Sequence, residues 1–378
     1  MSIRKPVIAL LTNNDDDIYC FRKELIEAIS SSGYEVLISC PDGPKFDLMR
    51  NIPFIHDKPI IDRRGTNPIA DFKLLHHYKK LFKQYSPAVV LTYTAKPNVY
   101  GSIAAHSLGI PVINNVTGFG SVLNMSGIKR RVITTLFRHA YRRSACIMFQ
   151  NATNMQLAKE QGMVCGDCRL IPGSGVDTDR YPLQEYPDGG NGITVPTVVF
   201  NYIGRILHDK GIDDYIEIAQ RIKSKYPATE FNMLGFIEPT EETHYGPLLR
   251  NLEAQGIIRY HGSQNDVKPY IARSHAIIHP STYGEGMSNV LLENASSGRF
   301  LITTDNPGCK ETVENNVTGY IYHGGDVDAL EAKVKSFLAL DNQTRKEMGI
   351  KGRERVKKEF SRQIVINAYV EKIKELTK

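Results

Sequence analysis

The sequence has little cysteine and no long apolar run among its 378 residues. No stretch approaches the roughly 18–20 apolar residues that cross a bilayer, so a membrane-spanning protein is not expected. Its six cysteines are mostly isolated within apolar or loop segments, as expected of reduced thiols. One C-x-x-C, Cys165 to Cys168, lacks the second pair that a four-ligand zinc site needs, and two free thiols are favoured there over a metal or redox site.

An excess of charge of one sign is also missing. The 47 basic and 41 acidic residues give a net charge of +6, too small and too dispersed to predict nucleic-acid binding. The chain is 41% hydrophobic, ordinary for a globular protein long enough for two domains. The amino terminus leads directly into an apolar strand-like run without the features of a secretory signal, so we expect a cytoplasmic protein.

Short apolar runs alternate with helical patterns along both halves of the chain. Val7–Leu11 and Glu35–Ser39 read as strands around a helix predicted over Tyr19–Ser32, and the alternation restarts at Val198–Ile203. This spacing predicts parallel sheets with helices on both faces. The sequence therefore predicts an α/β protein of two Rossmann-like domains facing a central cleft. The predicted segments are a first domain over 1–171, a linker rich in proline and glycine over 172–197, a second domain over 198–360, and a helix over 361–378 that packs back on the first domain.

A turn with two cations follows the strand Val198–Ile203. Gly204–Gly211 reads G-R-I-L-H-D-K-G and leads into a helix predicted from Ile212. Free N–H groups and the helix dipole favour an anion at such a turn, and Arg205 and Lys210 would bracket a diphosphate without a metal. An exposed loop with two solvated cations is the alternative.

Two glutamates eight residues apart mark a second candidate site. Glu285 stands in the loop after the strand Ala276–His279, and Glu293 is predicted about two turns inside the next helix. One carboxylate could contact a sugar ring while the other accepts hydrogen bonds from ribose hydroxyls. A capped surface helix with two ordinary glutamates is the alternative. The amides expected to face an anion are those of Met287, Ser288 and Asn289.

The order and spacing of these motifs resemble the retaining GT-B glycosyltransferases of family four. Gly175-Val176-Asp177 matches that family's G-V-D signature at the linker. Further stretches resemble bacterial members that extend undecaprenyl-diphosphate-linked sugars in capsule, O-antigen or glycoprotein assembly. Those stretches are Phe21-Arg22, Gly65–Pro68, Thr92–Asn98 and Asn114–Gly118.

The resemblance implies a metal-independent, retaining transfer without a cofactor. A sugar would move from a nucleotide-diphosphate donor, with UDP as the common carrier, to a lipid-linked or other glycan acceptor in cell-surface polysaccharide synthesis. The first domain would face the acceptor and the second would bind the nucleotide-sugar. The implied catalytic residues are Arg205, Lys210 and Glu285. The implied donor-binding residues are Gly204, Met287, Ser288, Asn289, Glu293, Gly262 and Val267, and the acceptor-side residues are Lys96, Asn98, Thr117 and Gly118.

Two departures from the family leave no histidine assigned to catalysis. Thr12–Asp17 stands where many members have a Gly-Gly pair, and Tyr93–Lys96 replaces a loop that often carries a histidine. His106, in the following helical pattern, is expected to be structural. Asp15-Asp16-Asp17 contains D-x-D, a metal motif of the other large glycosyltransferase fold, but its position favours compensation of a helix dipole or an acceptor contact.

A basic amphipathic segment, residues 128–143, is the candidate membrane contact. Arg131, Arg138 and Arg142 share one helical stripe. Peripheral docking on the inner face of the plasma membrane and a domain-covering helix with solvated arginines remain alternatives. The other stripe is apolar and consists of Val132, Ile133, Leu136, Phe137, Ala140 and Tyr141.

Two other functions stay open on the sequence. A nucleotide-sugar epimerase with two Rossmann-like halves would interconvert sugar nucleotides without transferring the sugar to an acceptor. A two-lobed sugar-binding clamp would bind its ligand without catalysis. Fold alone decides neither, because two Rossmann-like halves host many functions.

Overall fold

A computed structural model describes residues 5–62, 65, 67–119, 127–187 and 197–378. The chain divides into two compact units, one of residues 1–175 and 363–378 and the other of residues 176–362. Thr66 of the Gly65–Pro68 stretch and residues 188–196 of the predicted linker lie outside the described residues, as do the side chains of Ile128 and Lys129.

The first unit is built on a parallel sheet with strand order β3-β2-β1-β4-β5-β6-β7. Its strand order changes direction between β1 and β4, and ligands of such sheets bind beyond the carboxyl ends of the strands at this point. The strands are β1 (Val7–Leu11), β2 (Glu35–Ser39), β3 (Ile55–Asp57), β4 (Val89–Tyr93), β5 (Val112–Val116), β6 (Cys146–Phe149) and β7 (Cys168–Leu170).

Helices cover both faces of this sheet, as the alternating pattern predicts. The single helix predicted over Tyr19–Ser32 is wrong, because the chain forms two helices that are interrupted at Arg22. The Asn14 side chain accepts a hydrogen bond from the Asp17 amide, 2.8 Å away, and so starts the first helix earlier than predicted. The helices are α1 (Asp15–Phe21), α2 (Lys23–Ser31), α3 (Pro68–Tyr85), α4 (Ser102–His106), α5 (Gly127–Tyr141) and α6 (Ala152–Glu160), with a π-helical turn at Pro97–Gly101 before α4.

The predicted apolar stripe of α5 is partly wrong. Val132 is 53% exposed and lies on the solvent side. Phe137, Ala140 and Tyr141 are buried against the sheet in one cluster with Phe149. The apolar face of α5 is therefore core.

The second unit repeats the architecture with strand order β10-β9-β8-β11-β12-β13, again all parallel. Its strands are β8 (Val198–Ile203), β9 (Thr229–Leu234), β10 (Arg259–Tyr260), β11 (Ala276–His279), β12 (Phe300–Thr304) and β13 (Gly319–Tyr322). Its helices are α7 (Ile212–Lys225), α8 (Glu242–Ala254), α9 (Lys268–Arg273), α10 (Asn289–Ser296), α11 (Val327–Ala339) and α12 (Asn342–Glu359). The prediction of two Rossmann-like domains with parallel sheets is confirmed.

The last helix, α13 (Arg362–Leu376), returns the chain to the first unit. The Asn115 amide, at the end of β5, donates a hydrogen bond of 2.6 Å to the Tyr369 hydroxyl. Val365, Ile366 and Ile373 join the core under the first sheet. Within the described residues, no helix combines the length and apolarity needed to span a bilayer.

Candidate functional site

The predicted donor residues lie at the point where the strand order of the second sheet reverses. Strand β8 is flanked by β9 on one side and β11 on the other, and ligands of such sheets bind beyond the carboxyl ends of these strands. Gly204–Gly211 follows β8, and the loop that carries Glu285 follows β11. The topology therefore brings the two sequence motifs to the same edge.

Both predicted cations of this edge face one aromatic ring. The Tyr283 ring centre lies 5.7 Å from the Arg205 guanidinium carbon and 4.6 Å from the Lys210 Nζ. Arg205 Nη1 pairs with Glu238 Oε1 at 2.7 Å, and Lys210 forms an ion pair with Glu285. The site thus has two neighbouring cations whose positions are fixed by carboxylates and a shared ring.

Lys210 and His279 keep Glu285 ionised. Burial opposes its ionisation, but Lys210 and His279 together outweigh burial and lower the pKa of Glu285 to about 2. The Ser281 hydroxyl donates to the same carboxylate at 3.4 Å. Glu285 therefore carries a fixed negative charge across the physiological range.

Sequence reasoning missed His279, the last residue of β11. Its Nε2 lies 3.2 Å from Ser288 Oγ and 3.9 Å from Glu285 Oε1. Burial lowers the pKa of His279, although Glu285 opposes this, so the neutral ring is favoured. A polar residue ending an otherwise apolar strand was the available signal. Glu238, the buried partner of Arg205, lies in the loop after β9 and had no motif to mark it.

The glycines of the first motif allow close backbone approach. Gly211 has φ +72°, and a Cβ there would lie 2.1 Å from the Pro280 carbonyl oxygen. A Cβ at Gly235, which follows β9, would lie 1.7 Å from the Gly204 carbonyl oxygen. The Gly235 amide donates to the Gly262 carbonyl at 2.8 Å, so Gly204 and Gly262 both lie next to it. Val267 precedes α9, and its carbonyl accepts the first hydrogen bonds of that helix.

The start of α10 corrects two expectations. The helix begins at Asn289, so Glu293 lies just over one turn inside it rather than two. The Ser288 amide donates to the Gly308 carbonyl at 2.8 Å, and the prediction that this amide faces an anion is wrong. A loop before β13 folds over the start of α10 and uses that donor. Met287 is buried in the core beneath the loop, and Asn289 opens the helix.

Glu293 differs in ionisation from Glu285. Burial raises the pKa of Glu293 to about 7. The Tyr181 hydroxyl and the nearby Arg180 and Arg362 favour the ionised carboxylate, but they only partly offset burial. The G-V-D segment positions two of these groups, because the Asp177 carboxylate accepts the Arg180 amide at 3.0 Å and its carbonyl accepts the Tyr181 amide at 3.1 Å. This links the signature to the second glutamate, a connection that the sequence did not reveal.

The predicted acceptor-side residues follow β4 and β5 in the first unit. Lys96 pairs with Asp71 at 2.6 Å, and the buried Asn98 side chain joins Thr92 to the Asn115 carbonyl. Both therefore have protein partners that account for their side chains. Thr117 and Gly118, directly after β5, lie at the same edge of the sheet.

Arg22 connects two of the family-like stretches. Its fully buried guanidinium lies 4.2 Å from the Tyr93 ring centre and donates to Ser174 Oγ at 3.2 Å. Phe21-Arg22 therefore meets the segment that leads into Gly175-Val176-Asp177. Among the described residues, no hydrogen-bond partner is found for its Nε and Nη2 groups.

The remaining candidates have local roles. Asp15 accepts the Lys45 amide at 2.9 Å and Asp17 accepts the Thr12 hydroxyl at 2.8 Å, in the first turn of α1. Burial lowers the pKa of His106 to about 4. All six cysteines are free, including Cys165 and Cys168. In the described part of the chain, no group of three or more His, Cys, Asp or Glu side chains is placed to hold a metal ion.

Two family patterns together match about four fifths of the chain. Residues 7–151 match the glycosyl transferase 4-like family, and residues 190–355 match the glycosyl transferases of group 1. The chain belongs to the GT-B glycosyltransferases. Neither a nucleotide-sugar epimerase nor a non-catalytic clamp receives support from these matches.

Curated relatives act in bacterial glycan assembly. The chain is 23% identical over 346 residues to the N,N'-diacetylbacillosaminyl-diphospho-undecaprenol alpha-1,3-N-acetylgalactosaminyltransferase of Campylobacter jejuni, covering 88% of this chain and 89% of the relative. It is 27% identical to the capsular polysaccharide biosynthesis glycosyltransferase CapM of Staphylococcus aureus, covering 90% of each. The solved structure of HepE from Anabaena, in complex with UDP and glucose, aligns with a TM-score of 0.78 at 17% identity, covering 98% of this chain and 100% of HepE. At that identity the structural likeness shows the fold alone.

Proposed function

We propose that this glycosyltransferase transfers a sugar from a UDP-sugar to a lipid-linked glycan with retention of the anomeric configuration. The observation that carries the donor half of the proposal is the convergence of Arg205 and Lys210 on Tyr283 at the switch point of the second sheet. Two fixed cations match the two phosphates of a nucleotide-sugar. UDP is the carrier that the resemblance to family four implies, and HepE, which shares the fold, was solved with UDP and glucose.

The reaction needs charge stabilisation more than a protein nucleophile. As the bond from the sugar to the diphosphate breaks, negative charge grows on the departing phosphate, and Arg205 and Lys210 would stabilise it. On the same face of the sugar, the departing phosphate oxygen would accept the proton of the acceptor hydroxyl. The protein then supplies orientation, and the two cations take the place of a metal ion.

The two glutamates would have separate tasks in this mechanism. Glu285, held ionised by Lys210, would accept hydrogen bonds from hydroxyls of the donor sugar. Glu293, in α10, would accept from the ribose hydroxyls. Gly262, Val267, Met287 and Asn289 would frame the nucleotide through backbone groups, and Ser288 would contribute its side chain rather than its amide.

The acceptor half of the proposal rests on the relatives. The Campylobacter relative is named for an undecaprenol-diphosphate-linked sugar, and CapM for capsule synthesis. We infer an acceptor of this chemistry and peripheral association with the membrane that carries it. Thr117 and Gly118 would face the acceptor.

Turnover of a Lys210→Ala variant tests the donor site. We expect kcat to fall at least about tenfold, since a transition-state contact of about 1.4 kcal/mol corresponds to that factor. The assay follows release of UDP from a panel of UDP-sugars with an undecaprenyl-diphosphate-linked glycan, and NMR of the product reports the anomeric configuration.

Lys225→Ala is the matched control, because Lys225 is an exposed lysine of the same unit that pairs with Glu331. The control should retain full turnover. Near-normal turnover of Lys210→Ala, in a variant that unfolds well above the assay temperature, would contradict the proposal. A product with inverted configuration would contradict its mechanism.

A further inference from the structure

The exposed face of α3 carries two large apolar side chains at its amino-terminal end. Ile69 is 68% exposed and Phe72 is 70% exposed. They are three residues apart in the helix, so they project in the same direction. Ile60, in the loop that precedes this helix, is 97% exposed. Adjacent apolar side chains left in water are typical of surfaces that contact an apolar phase.

The same face continues with positive charge toward the carboxyl end of α3. The exposed positions follow one another at intervals of three or four residues, the spacing of a single helical stripe. The opposite stripe is buried in the core of the first unit. The exposed stripe contains Lys73, His76, Lys80 and Lys83. The buried stripe contains Leu74, Tyr78, Leu81 and Phe82.

The helix neutralises its acidic group internally. Asp71 is its one carboxylate in the sequence. It is turned inward, where Lys96 lies 2.6 Å away and the Tyr100 hydroxyl donates at 2.8 Å. The exposed stripe of α3 therefore carries lysines without a compensating carboxylate from the helix.

These contacts also locate the apolar pair relative to the sheet. Lys96 and Tyr100 follow the carboxyl end of β4, and both hold Asp71, which lies between Ile69 and Phe72 in the sequence. The apolar pair thus lies beside the edge at which a ligand of the first sheet would bind.

We propose that this face of α3 docks on an anionic lipid bilayer. Ile69 and Phe72 would enter the interfacial region, and the lysines would contact anionic head groups. The inference rests on the proposed function in one respect, because a lipid-linked acceptor makes such docking useful. Docking through α3 would bring the carboxyl ends of β4 and β5, where the acceptor is proposed to bind, to the membrane.

The basic helix α5 is a weaker membrane contact than its sequence suggests. Its exposed side carries Arg131, Arg138 and Arg142, and among its described apolar side chains only Val132 is exposed. Arg138 also donates to the Gln161 carbonyl at 2.8 Å. This helix can attract an anionic surface, but its described side chains include no pair of exposed apolar residues.

Sedimentation with vesicles of phosphatidylglycerol and phosphatidylcholine tests the proposal. The full chain should bind these vesicles and bind much less to phosphatidylcholine alone. The double variant Ile69→Ser/Phe72→Ser should lower the partition coefficient about tenfold, from the loss of buried apolar area. Leu170→Ser is the control, because Leu170 is 54% exposed on β7 of the same unit and should bind as wild type.

Charge reversal separates the two helices. Lys73→Glu/Lys80→Glu/Lys83→Glu should lower binding by more than about tenfold, since each cation contributes near an anionic surface. Reversal of Arg131, Arg138 and Arg142 on α5 should leave most of the binding. Wild-type binding by both α3 variants, or loss of binding from the α5 reversal alone, would overturn the proposal.

A transfer assay with a short-chain, water-soluble acceptor keeps the two proposals distinguishable. The α3 variants should retain transfer to it, since the donor residues are untouched. Vesicle binding that depends on α3 in a protein with no transfer activity would overturn the proposed function and support docking. Transfer activity without vesicle binding would overturn docking alone.

Discussion

Glu285 and Glu293 are eight residues apart and have opposite ionisation preferences. Lys210 and His279 together lower the pKa of Glu285 to about 2 despite its burial, whereas burial raises the pKa of Glu293 to about 7. The sequence predicted both as site residues but could not assign these states, because they depend on side chains distant in the chain. Lys210 is 75 residues from Glu285.

Substitution of Glu293 should increase stability at alkaline pH. The folded pKa lies above the unfolded value, so the neutral form stabilises the fold at low pH and this contribution is lost as pH rises through about 7. Ionised Glu293 then costs roughly 1–3 kcal/mol. We expect Glu293→Gln to raise the melting temperature by a few degrees at pH 8 and to change it little at pH 5, in thermal unfolding followed by circular dichroism.

Glu285→Gln should change stability in the opposite direction from Glu293→Gln. With a folded pKa of about 2, Glu285 is ionised at both pH values, and its loss leaves Lys210 without a carboxylate. The variant should be destabilised similarly at pH 5 and pH 8. A melting temperature of Glu293→Gln that falls at pH 8 would show that the burial of Glu293 does not disfavour its charge.

At the scale of elements, the turn between β8 and α7 depends on one close approach. Gly211 combines a left-handed φ of +72° with the Pro280 carbonyl 2.1 Å from where a Cβ would lie. Any side chain must displace the segment that leads from β11 to Glu285. The glycine therefore sets the distance between the two motifs.

A Gly211→Ala variant should be less stable than the comparable Gly256→Ala variant. Gly256 has φ +68° but no atom within 4 Å of a Cβ, so it carries only the conformational penalty. The clash at Gly211 should add roughly 1–3 kcal/mol to that penalty in urea unfolding. Equal destabilisation of the two variants would show that the approach to Pro280 is not constrained.

The elements that sequence patterns predicted are those with buried, regular faces. Strands β1, β2 and β8 coincide with the predicted runs, because parallel strands are continuous apolar segments. Strands β3 and β7 and helix α9 were not predicted, since the first two are three-residue edge strands and α9 spans six residues. The interruption at Arg22 was missed because a buried arginine has no periodic signal.

At the scale of the whole molecule, the two-unit architecture was predictable from one repeated alternation. The sequence also identified the residues that meet at the switch point of the second sheet, since the carboxyl ends of parallel strands share one edge. It could not identify the partners Glu238, Tyr283 and His279, which topology alone brings there. For α5 it left membrane docking and a domain-covering helix as alternatives, because exposure cannot be read from helical spacing alone.

We propose that protein cations bind the diphosphate of a nucleotide-sugar without a metal ion. The most direct measurement is a crystal structure of the protein with UDP, grown in EDTA. We expect phosphate oxygens within hydrogen-bond distance of Arg205 and Lys210, at the carboxyl ends of β8 and β11. A diphosphate bound away from these two side chains, or UDP binding that EDTA abolishes and manganese restores, would contradict it.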